Sequence, residues 1–386
     1  MRSEEIFNAE QKFQLATYSK LDLAIVRGSG SWVWTADNEK YLDLYGGHAV
    51  CAVGHSHPAV VKAISEQAGK LMFYSNVVYS DVRAKAAEKL ASIAPAPLLK
   101  AFFCNSGTEA NENAMRIARL ATGRSNIVSF AKGFHGRTAD SISATFLGKY
   151  RTLGEPNVPG HAEAQFGDVD SMDAVIDAET AGVIIEPIQS MAGVREASPE
   201  FFKCLRARCH EVGAVLIFDE VQTGVGRTGS WFFAGSEAAG IVPDIISLAK
   251  SLGSGVPVGA CLVSDELTKA IKENDLGTTF GGGMIAMAAV NATIEVIERE
   301  DLLASAKNVE LWVRNACSHN RTVKAVHGKG CLLGIEFDGS ARPFYTRLLE
   351  AKIITGMSSD PNVLRLLPPL SVTESEIQLF AEVLNG

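Results

Sequence analysis

Lys250 ends a short apolar run (Ile245, Ile246, Leu248), and Ser251, Gly253, Ser254, Gly255 and Pro257 follow at once. A lysine delivered from a rigid strand into a glycine-lined space is placed to act as an amine nucleophile or as a base, and it needs a partner. Asp219 and Glu220 end a second apolar run, "AVLIF". Two carboxylates there are costly unless each is partnered, and that cost points to function. A third run, "AFFC", leads into "NSGTEANENAMRIAR". Gly107 and Thr108 stand at the amino end of a helix whose free N–H groups and dipole suit a phosphate, although Thr108 as a plain N-cap is the ordinary alternative.

A strand-end lysine, a strand-end aspartate and a helix start suited to one phosphate together suggest a cofactor with an aldehyde, a ring nitrogen to keep protonated and a monophosphate. Pyridoxal phosphate has all three. Lys250 would hold the aldehyde as a Schiff base, and Asp219 would pair with the pyridinium N–H so that the ring acts as an electron sink. The stretch "GVGRTG" (224–229) matches a dinucleotide fingerprint, but "SWFFAG" follows instead of a helix and the acids precede the glycines. The same objection covers "GSGVPVG".

The elements that must position these residues alternate. Helical patterns at 58–71, 81–93, 108–121 and 199–211 are interleaved with the strands "KAFFCNS", "SNIVSF", "GVIIEP", "AVLIFDEV", "DIISLA" and "GACLVS". That order predicts an α/β domain with a mostly parallel central sheet, in which ligands sit at the carboxyl ends of the strands. Residues 1–57 read as an arm followed by strands around an Asp37–Asn38 turn, and 58–285 as the large domain. A helix at 284–299 leads into 286–386, an α+β portion expected to pair with the N-terminal strands as a second lobe.

Composition narrows the function classes. The 386 residues are 47% hydrophobic, enough for a large core, and 36 Lys plus Arg against 44 Asp plus Glu give a net charge of −8. No basic run tracks a phosphate backbone, so nucleic acid is not expected as a partner. Seven scattered cysteines without a CxxC pair suit a reducing compartment. Cys204, Cys209 and His210 fall on a predicted helix that turns the two thiols apart, so no metal site is expected. The start "MRSEEIFNAEQ" lacks an apolar core, and no apolar stretch approaches the roughly 20 residues of a membrane span, so a cytoplasmic location is expected.

The segments "SGTEANENAMRIAR", "FHGRT", "EPIQ", "LIFDEVQTGVGRTG", "PDIISLAKSLGSGVPVGA", "GTTFGG" and "LRLLPPL" resemble the successive signatures of class III, ornithine-type aminotransferases that use pyridoxal phosphate. The likeness runs in family order over nearly the whole chain. Within that class "YLDLYGGHAV", "GHSHPAVV", "YSN" and "FHGRT" resemble the acylornithine aminotransferases of arginine metabolism. The resemblance implies fold type I, with a large cofactor-binding domain and a smaller α+β domain built from both termini.

It also implies roles. Lys250 becomes the Schiff-base lysine and proton shuttle, and Asp219 the pyridinium partner. Val221 and Phe134 would flank the ring, Gln222 would bond its phenolic oxygen, and Glu186 would stand nearby. Ser106, Gly107 and Thr108 would hold the phosphate from one subunit and Thr279 from the other, so the active site would belong to a homodimer. Arg137 would grip a substrate carboxylate, Arg365 the α-carboxylate of glutamate or 2-oxoglutarate, and Tyr18 would line the entrance. His135, His55 and His57 read as structural.

Two departures stand out: "EPIQGEGG" of the family is "EPIQSMAG" here, with Met191 in place of a glutamate, and "GGNP" is "GGGM". The first bears on substrate choice. The implied reaction moves the terminal amino group of an N-acylornithine, acetyl or succinyl, or of a similar ω-amino compound to 2-oxoglutarate. Alternatives within the class are a different ω-amino acid or lysine-derivative aminotransferase and an amino-acid racemase or aminomutase. A racemase has no use for two carboxylate-binding arginines. A non-enzymatic cofactor-binding regulator has no need to retain Lys250, Asp219 and Gln222 together.

Overall fold

The computed structural model describes residues 1–386. The expected N-terminal arm contains a helix, Ser3–Phe13, before three short antiparallel strands, β1 (Ile25–Ser29), β2 (Trp32–Thr35) and β3 (Lys40–Asp43). The β2–β3 turn passes through Asn38, whose φ of 64° is a left-handed conformation that asparagine tolerates.

The central sheet is built from β4 (Leu98–Cys104), β5 (Asn126–Phe130), β6 (His161–Ala164) and β7 (Thr180–Ile185). After a small ribbon of β8 (Ile188–Gln189) and β9 (Arg195–Glu196), it is completed by β10 (Val215–Asp219), β11 (Ile245–Leu248) and β12 (Gly259–Ser264). The strand order is β4-β12-β11-β10-β7-β5-β6. Only β12 runs against its neighbours, β4 and β11. Every residue of β7, β10, β11 and β12 is buried, which is why these strands read as nearly unbroken apolar runs.

Helices cover both faces. Helix Gly107–Thr122 turns Ala110, Asn111, Ala114, Met115, Ile117 and Ala118 inward. Its N-cap is Ser106, not Thr108: Ser106 is extended (φ −153°, ψ 165°) and its oxygen accepts the Glu109 N–H at 3.2 Å. Helix Pro199–Val212 buries Phe201, Phe202, Leu205 and Cys209. The Phe202 ring meets Phe201, Phe218 and Phe233 edge-on at 5.6–5.7 Å, and Phe201 in turn meets Phe130, so one run of aromatics fastens this helix to β5 and β10. Cys204 of the same helix is exposed while Cys209 is buried.

The remaining strands are β13 (Val323–Lys329), β14 (Leu332–Phe337), β15 (Ile353–Ile354), β16 (Gly356–Met357) and β17 (Val363–Leu366). Among these only β15 joins the N-terminal strands, in parallel with β3. The others form a separate antiparallel sheet, β13-β14-β17-β16. No helix is long and apolar enough to cross a membrane.

The adjacent acids Asp219 and Glu220 part company, because successive side chains leave a strand on opposite sides. Glu220 is 1% exposed. Its carboxylate accepts the N–H groups of Phe233 (2.6 Å) and Ala234 (2.8 Å) and the hydroxyl of Thr223 (3.1 Å). Burial pushes its carboxyl up to about 7. The cost of this acid is therefore met by a structural role, contrary to the functional reading of both. Glu220→Ala leaves two buried N–H groups unpaired at about 1–3 kcal/mol each. Thermal unfolding is expected to drop by about 5 °C or more, and an unchanged Tm would show the carboxylate to be dispensable.

Candidate active site

The carboxyl ends of β4, β5, β7, β10 and β11 open onto one cavity of about 450 Å³. Because β12 is reversed, it is the approach to its start, Val256, Pro257 and Val258, that closes the same edge. The wall includes Ser106, Gly107, Thr108, Phe134, Arg137, Glu186, Asp219, Val221, Gln222 and Lys250.

Lys250 lies two residues past β11, at the start of a short 3-10 turn, with φ of 43°. A non-glycine residue in this region is strained, and such strain is retained where surrounding structure imposes it. Burial lowers the pKa of its ammonium, against the opposing pull of Asp219 and Glu186. Asp219 is 4% exposed. His135 Nδ1–H donates to its Oδ2 at 2.8 Å, Asn111 Nδ2 donates to the same oxygen at 2.7 Å, and the Val221 N–H donates to Oδ1 at 3.1 Å. Asn111 also donates to the His135 carbonyl at 2.7 Å, which locks the two together.

Asn111 is the partner of Asp219 that the sequence reading passed over, and His135, read as structural, is the other side chain that holds it. His135 is structural in the sense that it orients Asp219. The signal was present in the quoted motifs: each holds a polar residue that the fold buries, and a buried polar side chain requires a partner.

Glu186, buried at the end of β7, accepts the Phe134 N–H at 2.7 Å, and burial pushes its carboxyl up to about 7. Phe134 lies edge-on to Tyr150 at 5.4 Å. At the mouth Arg137 is exposed, with its guanidinium 4.9 Å from the Tyr150 ring and 6.0 Å from that of Tyr18. Tyr18 itself is 71% exposed and is not part of the cavity wall.

Two other residues lie off the wall. Arg365, 3% exposed on β17, sits behind it with Nη1 on Ser190 Oγ. Thr279 is exposed and borders a different hollow, beside Asn76 and Val77.

The cavity suits a flat, polar-edged ring bearing one phosphate. The Gly107 and Thr108 amides, in the first turn of a 16-residue helix, have no intrahelical acceptor. Gln222 Oε1 is buried in the wall without any hydrogen-bond partner, an atom waiting for a donor. No group of three metal-ligating side chains is gathered anywhere in the chain.

The family model described as aminotransferase class-III matches residues 14–386. The acetylornithine aminotransferase of Methanopyrus kandleri is 41% identical over 95% of this chain and 94% of its own length. The LysW-aminoadipate semialdehyde transaminase of Deinococcus radiodurans is 37% identical over 98% of this chain and 90% of that protein. A solved structure of the ornithine aminotransferase from Toxoplasma gondii, with pyridoxal phosphate partly occupying its active site, is 25% identical with a TM-score of 0.90. The match covers 99% of this chain and 93% of that one.

His135→Phe keeps a ring in place while removing a charge-assisted donor from Asp219. Transaminase turnover is expected to fall about tenfold or more, equivalent to ~1.4 kcal/mol, with little change in Tm. Full activity would return His135 to a packing role.

Proposed function

The chain belongs to the class-III aminotransferase family, and from that premise we propose that it moves the terminal amino group of an N-acylornithine to 2-oxoglutarate with pyridoxal phosphate as cofactor. The observation that carries this reading is Lys250: a part-buried, strained lysine sharing one cavity with Asp219 and with an open helix start. The high identity to an acetylornithine aminotransferase supports the donor class. A lysine-derived donor is the second reading, favoured by the likeness to the Deinococcus radiodurans transaminase.

Pyridoxal phosphate, when bound, supplies an aldehyde that takes up the amino group and a ring that accepts the electron pair left on the substrate carbon. The residues do the rest. Lys250, its pKa lowered by burial, is the base that takes a proton from the substrate carbon and returns it on the other side of the transfer. Asp219, fixed by His135, Asn111 and the Val221 N–H, would take the ring nitrogen and keep it protonated. Val221 and Phe134 would exclude water from the two faces of the ring, and the Gln222 amide would bond its oxygen substituent. Ser106, Gly107 and Thr108 would hold the phosphate. Arg137 takes the donor's carboxylate at the mouth, beside Tyr18, and Arg365 takes a carboxylate of 2-oxoglutarate.

The working unit in this reading is a homodimer. Thr279 would complete the phosphate site of the partner subunit. Thr279 borders a hollow that it shares with Val77, and its neighbour Phe280 is 65% exposed, an apolar edge that a second subunit would cover. A cytoplasmic location and a role in arginine biosynthesis accompany this reading.

The direct test assays N-acetylornithine, N-succinylornithine and putrescine as donors with 2-oxoglutarate. Wild type should turn over the acylated donors, and Lys250→Ala should lose several orders of magnitude in kcat. Robust turnover by that variant would sink the assignment. Mixed dimers of inactive Lys250→Ala and an inactive Thr279→Ala variant should recover part of the activity. No recovery after verified subunit exchange counts against the shared site.

A further inference from the structure

Arg365 is 3% exposed, and no carboxylate of the chain lies within 4.0 Å of it. Its donors end on neutral oxygens: Nε on the Met357 carbonyl at 3.0 Å, Nη1 on Ser190 Oγ at 3.2 Å and Nη2 on the Tyr45 hydroxyl at 2.7 Å. Glu186, the acid whose charge reaches it, is already engaged by the Phe134 N–H. A guanidinium held in place but not neutralised is costly in a dry site unless an anion comes to it from outside. Its positive charge is felt at His48 and Lys250, both of which line the cavity.

Tyr45 is built into this position from several directions. Asp43, at the end of β3, accepts the N–H groups of Tyr45 (2.9 Å), Gly46 (2.9 Å) and Gly47 (3.1 Å) and contacts His55 Nε2 at 2.7 Å. From Gly46 to Ala49 four consecutive residues are left-handed, with φ of 56°, 58°, 71° and 61°. That turn brings His48 edge-on to the Tyr45 ring at 5.0 Å. On its other side the ring lies over Gly356, the β16 partner of Arg365, where a Cβ would stand 2.0 Å from Tyr45 Cε2. So the backbone opposite Arg365 lacks a side chain and the tyrosine occupies that space. The hydroxyl accepts from Arg365 and its own hydrogen has no acceptor in the chain.

We propose that Tyr45 and Ser190 are positioning residues for Arg365: neutral oxygens that fix the guanidinium in one orientation just behind the cavity wall and leave its charge uncancelled, so that it acts on a substrate carboxylate throughout turnover. This rests on the reading that Arg365 takes a carboxylate of the acceptor. It further places substrates that bring a second carboxylate above those that leave the buried cation unpaired.

The test uses the holoenzyme and glutarate, a dicarboxylate that cannot react, titrated by calorimetry alongside steady-state kinetics. Tyr45→Phe keeps the ring on Gly356 and removes only the oxygen. The expected result is a rise of about tenfold in the glutarate Kd and in the KM for 2-oxoglutarate, with kcat within about twofold and Tm nearly unchanged. Ser190→Asp places a carboxylate on Nη1 and should weaken glutarate further, although it strengthens the contact to the arginine. Arg365→Lys is the control. If it leaves the glutarate Kd unchanged, the reading of Arg365 itself fails. If it weakens glutarate while Tyr45→Phe and Ser190→Asp stay within twofold of wild type, the positioning role is overturned. Equal losses in kcat and kcat/KM with a fallen Tm in Tyr45→Phe would also overturn it.

Discussion

Burying the Asp219 carboxylate at the end of the central strand is the constraint around which the rest is arranged. An anion in that position is stable only if donors converge on it, and three do, from three separate elements: His135 after β5, Asn111 on helix Gly107–Thr122, and the backbone of Val221. Those donors fix how the helix and the β5 loop sit against β10. The helix that supplies Asn111 thereby also aims its first turn into the cavity, so the anion-binding end and the buried acid are set at a constant separation.

Charge in the cavity and just behind its wall is handled by two different means. Asp219 is met by protein donors, while Lys250 and Arg365 are left without an ionic partner. Burial lowers the pKa of both cations, so the unpaired state carries a cost that the unbound protein bears. A site that stores cost in this way binds anionic ligands with part of the desolvation already spent, which is the meaning of preorganisation here. The strain at Lys250 and in the Gly46–Ala49 turn sits in the same region, as expected where packing over-determines backbone shape for the sake of a ligand.

Neutral tethering of Arg365 also separates position from charge. A carboxylate tether would orient the guanidinium equally well but would compete with the substrate's carboxylate for it. A phenol and a serine hydroxyl orient without competing, at the expense of a less stable free protein.

What the sequence by itself determined was the inventory and its order. The long amphipathic helices, the apolar strands and the placement of Lys250, Asp219 and Gly107–Thr108 just after strands were legible because they depend on neighbours a few residues apart. Short or polar elements, such as β6 with its sequence "HAEA", carried no such periodicity and were missed. Only the tertiary structure decided which side chains meet. It sent Glu220 into a loop and Asp219 into the cavity, gave Asp219 to His135 across 84 positions of sequence, and brought Tyr45 to Arg365 across 320. Such pairs follow from strand order and from the parallel joining of β15 to β3, and no local pattern encodes a contact made only after the sheets have assembled.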